Sequence, residues 1–330
     1  MNRPLLVLAA VLGSALCASA SAQVFTDTAF DALYRARRHA ELERQALARV
    51  AARADDAQAV LALALVAQQP KGSAAQRQAA IGHAETCVQR QPQSAECHYA
   101  LGSTLGVHAL YEGLLKMAGS VGRVRGELAE SLQLAPAWFP ARSALVNFYL
   151  MAPGLLGGSR DKAVELARAA PAADAQQVLQ AMVALHDEKP DAALQSLMAA
   201  RGGRDGAVDD DLHETTTNAA FGLLNAGQPT KARPWFERAV RERPDDARSL
   251  FGMGRSLAES GAPADALTWY ERAARLENAE LLPLDYRIGL AQLALGRNAE
   301  AKAALTRFVG AGKGSKKALD DARQKLAQLG

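Results

Sequence analysis

Between residues 213 and 308 small and apolar residues recur at helical spacing in paired bursts, each pair divided by a glycine. One series runs Ala220, Leu223, Gly227, Ala232, Phe236, Ala239 and Pro244. The next, Gly254, Leu257, Gly261, Ala266, Tyr270 and Ala273, is displaced by 34 residues at every shared position. A third, Gly289, Gly296, Ala301, Leu305 and Phe308, is displaced by one residue more. A period near 34 is too long for one helix and fits a helix pair. Small residues stand where the two helices of a unit cross, and Phe236 or Tyr270 fills the gap beside them. Gly227, Gly261 and Gly296 fall where the first helix must end on a left-handed residue, and Pro244 closes a unit.

Upstream the pattern loosens. Leu101, Gly102 and Leu105 are followed by Leu128, Leu132 and Pro136, so the unit from Ala95 to Pro136 takes 42 residues where a regular one needs about 32. The excess predicts an expanded interhelical turn over residues 107–122. Leu145, Tyr149, Ala163 and Ala167 form a second enlarged unit, whose turn contains the Gly-rich run "MAPGLLGGSRDKA", residues 151–163. Ser159 there is a good N-cap, and a phosphate cradle would need Lys directly after the last Gly, where Ser159 and Arg160 stand. The predicted organisation is a signal peptide over 1–22, an N-terminal helix pair over 23–56, irregular repeats with expanded turns over 57–200, a mobile loop over 201–212, regular repeats over 213–312 and a capping helix over 313–330. The loop rests on the polar, Gly-rich run "ARGGRDGAVDDD".

The period and residue types resemble the tetratricopeptide repeat (TPR), closely in 213–308 and loosely over the rest of the mature chain. The resemblance implies an all-α fold: a right-handed α-solenoid of antiparallel helix pairs. The stretch from "HYALGSTLG" through "APGLLGGSRDKA" is also similar to a group of exported proteobacterial repeat proteins of little-known function, and more distantly to repeat lipoproteins that accompany periplasmic solute transporters. The first implies an envelope address and the second a small ligand or lipid as an alternative cargo. In TPR superhelices the first helix of each unit lines the concave wall. Mapped onto this chain, that register nominates Tyr99, Phe221, Leu224, Arg248, Phe251, Arg255, Tyr286 and Leu290 as groove residues for an extended peptide or helix. The Lys and Asn of a carboxylate clamp are missing.

Composition adds an address. AVILMFWYC make up 49% of the 330 residues and aromatics 5%, the make-up of close-packed Ala- and Leu-rich helices. The first 22 residues combine Arg3, a short apolar run and Ala20-Ser21-Ala22, which reads as a secretory signal cleaved near Ala22 and places the mature chain in the periplasm. Charge is mixed and near balance, 38 Lys+Arg against 35 Asp+Glu, without the basic stripe that nucleic acid would need. No later apolar run reaches membrane-spanning length.

Candidate chemistry is sparse. Cys87 and Cys97 flank Pro92 on neighbouring helices and are either a disulfide or two small buried packing residues. His83 and His98 next to them match no zinc spacing, so no metal or cofactor is expected. There is no nucleophile elbow, H-E-x-x-H or P-loop. The acid runs 209–211 and 320–321 read as solvated faces, with no apolar pocket in view to raise a carboxyl pKa. The expectation is a non-catalytic adaptor with a protein or peptide partner.

Overall fold

The structure, a computed structural model, describes residues 23–200 and 206–330, and of 114–118 the backbone only; the expected signal peptide lies outside the described residues. The described residues form α-helices and two short 3₁₀ turns and contain no strand. The helices are α1 (Thr28–Arg35), α2 (His39–Ala52), α3 (Ala57–Ala67), α4 (Ala74–Arg90), α5 (Ala95–Glu112), α6 (Leu114–Leu134), α7 (Phe139–Met151), α8 (Arg160–Arg168) and α9 (Ala173–His186). They continue as α10 (Pro190–Ala199), α11 (Gly206–Asn225), α12 (Pro229–Glu242), α13 (Ala247–Glu259), α14 (Pro263–Ala274), α15 (Leu284–Ala294), α16 (Asn298–Ala311) and α17 (Lys316–Gln328). Successive helices pair, and each pair stacks on the next as an α-solenoid.

The predicted contacts recur in two of the regular units and in the central one. A Cβ added to Gly254 would lie 2.5 Å from the Tyr270 ring, one on Gly289 would lie 2.7 Å from Leu305, and one on Gly102 would lie 2.9 Å from Leu128. The first two pairs are 16 residues apart and the third is 26, so the central unit keeps the same crossing and inserts ten residues beyond it. Gly227, Gly261 and Gly296 have φ of 70°, 86° and 71°, as the turn pattern requires. Arg37 and Glu188 occupy the same slot in the α1–α2 and α9–α10 pairs with φ of 54° and 57°, so these two units lack the glycine that marks the regular ones. Second helices open on proline at Pro190, Pro229 and Pro263, where the missing N–H costs no hydrogen bond.

Two expectations are corrected. The turn over 107–122 is mostly helix: α5 runs to Glu112, Gly113 with φ 90° breaks it, and α6 begins at once. The inserted residues therefore lengthen both helices of the unit. Residues 206–212, expected in a mobile loop, form the first turns of α11; Val208 and Leu212 are buried in the core and supply the apolar anchors that hold them helical. By contrast, the 151–163 turn is a true interhelical connection. It holds a 3₁₀ turn at Gly154–Leu156 and Gly157 at φ 95°, and the Ser159 hydroxyl accepts from the Lys162 N–H at 3.4 Å to cap α8. Arg160 is committed to a two-point pair with Asp187, so this cation is not free to complete an anion site.

The solenoid comes round on itself. Trp138 Nε1 donates to the Gln23 carbonyl at 3.1 Å, Lys71 Nζ meets Glu280 Oε1 at 2.7 Å, and Tyr34 of α1 lies beside Asp210 of α11 on one cavity wall. The N-terminal helices thereby close the concave side that the central first helices leave open.

Candidate functional site

First helices α3, α5, α7 and α11 turn toward the solenoid axis and enclose a cavity of about 610 Å³. Its walls are Tyr34, Tyr99, Phe139 and Phe148, with Leu65 and with Val124 and Leu128 of the lengthened α6. The aromatic positions follow from helix phase. Tyr99 sits one turn before Ser103 on α5, and its ring meets Trp138 edge-on at 5.0 Å. Gln68 fixes the α3–α5 wall by donating to Ser103 Oγ and Thr104 Oγ1, both at 3.0 Å. A second cavity of about 760 Å³ continues along α9 and α11 to Phe221, and the two share Asn147, Met151, Asp211 and Glu214. The two cavities therefore adjoin at one acidic threshold, with Tyr99 on one side of it and Phe221 on the other.

That threshold is the part sequence reasoning missed. Asp211, expected on a solvated face, lines both cavities and accepts a hydrogen bond from the Ser143 hydroxyl. Burial pushes its carboxyl up to about 7, with Glu214 and Asp210 adding in the same direction and the Ser143 bond opposing. Asp210 is paired with Arg243. Burial is likewise the main cause that raises the Tyr34 and Tyr99 phenols above their usual range, and the Asp211 carboxylate adds to both. The pocket was invisible in the sequence because residues 34, 99, 143 and 211 converge from four separate helix pairs.

Of the nominated groove residues, Tyr99 lines the first cavity and Phe221 the second. Arg248 and Arg255 stand over the Phe221 ring at 5.2 and 5.9 Å, Arg248 held by Asn218 and Arg255 by Glu259. Leu224 and Phe251 belong to the core instead. Phe251 stacks between Phe221 and Tyr270 at 6.3 and 5.8 Å, because the narrow Gly252 and Gly254 beside it draw the neighbouring helix rings inward. Tyr286 faces the cap, its hydroxyl donating to Asp321 at 2.9 Å and its ring against Phe308. Leu290 is partly buried on α15, away from both cavities.

Two polar clusters are structural. Cys87 of α4 and Cys97 of α5 are joined as a disulfide with Cα atoms 5.5 Å apart, while His98 bridges Glu127 and the Pro92 carbonyl. His213, Asp246 and Ser249 bring the three residue types of a hydrolytic triad together in the wrong order. Asp246 and Ser249 both meet His213 Nε2, at 3.2 and 3.3 Å, and Ser249 donates to Asp246 at 2.5 Å. A triad needs the carboxylate on Nδ1 and the hydroxyl on Nε2. Here Asp246 caps α13, and although burial opposes its charge, the His213 and Ser249 hydrogen bonds outweigh it and hold the carboxyl far below its usual range. Among the described residues no group of three His, Cys, Asp or Glu is placed to hold a metal ion, and no helix is long and apolar enough to cross a membrane.

Solved structures resemble this arrangement. A chain of the APC/C hetero-tetramer Cut9–Hcn1 aligns over 91% of this chain and 54% of its own, with TM-score 0.54 and 13% identity. The fold is that of a tetratricopeptide-repeat superhelix. PilF of Pseudomonas aeruginosa aligns at TM-score 0.49 and 18% identity over 72% of this chain and 99% of its own. YrrB, described as a TPR protein with an unusual peptide-binding site, aligns at 0.36 and 14% over 73% and 97%. The chain spans about half the length of the Cut9–Hcn1 chain it matches. No family model matches it, and no curated protein does. At these identities the likeness establishes the fold and nothing finer.

Proposed function

We propose that the protein is a periplasmic adaptor or assembly factor whose concave channel holds an extended segment of a protein partner. The observation that carries this reading is that the two cavities adjoin and share Asn147, Met151, Asp211 and Glu214 in their walls. A path lined by first helices from Tyr99 to Phe221 suits a chain several residues long, with side-chain chambers at either end of it. Support for the compartment comes from the N-terminal Arg3, apolar run and Ala20-Ser21-Ala22, and from a disulfide, which persists in oxidising surroundings.

Site-specific photo-crosslinking in living cells tests the channel, with the photoreactive residue at Asn147 and at Phe221. Crosslinks from both positions to one partner segment are expected, with an outward control at Arg233 silent. Absence of any crosslinked protein at both positions defeats the reading. A carrier for a small apolar ligand is the second reading, favoured by the aromatic and aliphatic walls of the first cavity. Native mass spectrometry of protein taken from the periplasm separates the two, since a carrier retains a small molecule of fixed mass.

A further inference from the structure

Charge is unevenly placed in this molecule. The whole chain carries a formal +3, yet the charged side chains lining the first cavity are Asp210, Asp211 and Glu214, all acidic. Arg243 neutralises Asp210 from outside. Asp211 has only the Ser143 hydroxyl, and Glu214 has no ion-pair or hydrogen-bond partner among the described residues. Above this threshold stand Tyr34 and Tyr99, whose hydroxyls make no hydrogen bond among the described residues although both rings are fixed by aromatic neighbours. A half-buried carboxyl, an exposed one and two half-buried phenols therefore present unused hydrogen-bonding capacity at the cavity that a ligand can engage. Electron-rich phenol faces and carboxylates together favour a cation over a neutral donor. The cavity beyond is apolar, with Leu110 and Met151 exposed at its mouth, so the cation must be carried on an apolar stem.

We infer that the partner segment bears a lysine or arginine side chain that seats on Asp211 and Glu214 beneath the Tyr34 and Tyr99 rings, with apolar residues on either side of it in the two chambers. This rests on the channel reading above and adds the specificity that reading lacks. The ligand cation replaces the missing hydrogen-bond donors, and its aliphatic stem covers Val124 and Leu128.

The test uses the mature protein against a display library of random nonapeptides, followed by synthesis of the best binder, its Lys or Arg replaced by norleucine, and hexylammonium chloride as a free amine. Peptides with one basic residue at a fixed place between apolar ones are expected. Norleucine should weaken binding at least tenfold on the wild type and less than twofold on the Asp211→Asn/Glu214→Gln variant, with far-ultraviolet circular dichroism confirming its helix content. Because norleucine alters only the peptide, the first comparison holds even if the variant folds poorly. Selected peptides without a common basic residue, or a norleucine loss under twofold on the wild type, overturn this inference and leave the channel standing. If no peptide is selected, the channel reading falls with it. Hexylammonium binding as tightly as the best peptide overturns the peptide source in favour of a free amine.

Discussion

Replacing Asp211 by Asn should stabilise the protein, and by an amount that depends on pH. The carboxyl titrates near 3.8 in the unfolded chain and about 7 in the folded one. The folded state therefore holds the proton more tightly, and stability falls as pH rises between those two values. At pH 8 the carboxylate is charged in both states, and about 3 pK units correspond to roughly 4 kcal/mol of destabilisation at 1.36 kcal/mol per unit. At pH 5 the folded carboxyl is protonated, and the penalty is only the cost of neutralising it in the unfolded chain, about 1.6 kcal/mol. The gap between variant and wild type should consequently widen by about 2 to 3 kcal/mol from pH 5 to pH 8. Asn keeps a partner for the Ser143 hydroxyl, so the substitution removes the charge and leaves the α7–α11 contact. Urea unfolding followed by circular dichroism at 222 nm, at half-unit pH steps, measures the gap directly. A difference constant across that range would refute the placement of Asp211 in a low-dielectric cavity. A wild type more stable than the variant at pH 8 would refute it as well.

Other substitutions test the packing. Gly254→Ala should cost about 1 to 3 kcal/mol in urea unfolding, since its Cβ would meet the Tyr270 ring at 2.5 Å, whereas Gly82→Ala, with open space around it, should stabilise by about 0.5 to 1 kcal/mol. Equal signs for the two would sink the repeat-crossing account. Glu188→Gly relieves a left-handed backbone and should raise stability by up to about 1 kcal/mol by the same measurement; a loss would mean that its side chain matters more than its φ of 57°. Cys97→Ser should cost about 3 kcal/mol for a loop of ten residues. Thiol titration of the unreduced wild type should find neither Cys87 nor Cys97 reactive.

Much of the architecture was legible because one kind of contact repeats. A glycine against a ring or a leucine sixteen residues on needs no other context, so Gly254 with Tyr270 and Gly289 with Leu305 announce themselves. Units whose left-handed slot is filled by Arg37 or Glu188 carry no such mark. Residues 107–122 look like a turn in the sequence because the inserted residues continue both helices of the α5–α6 pair, and only Gly113 punctuates them. The groove suffered from a different loss. Register places Phe221 and Phe251 on helices of one kind, and only packing decides that the first lines a cavity while the second is sealed between rings. Asp211 depended on neighbours more than sixty residues away, Ser143 among them, and no local pattern encodes that.

The ion pair between Lys71 and Glu280 joins positions 209 residues apart in a molecule whose other contacts are nearly all between neighbours. An open row of repeats can fray from either end, because each unit leans only on the next. Ties between distant units give the early helices a second set of neighbours. Losing those helices then also withdraws the support they give to residues 206–280, so a truncation at the N-terminus should be felt there as well as in the adjoining unit.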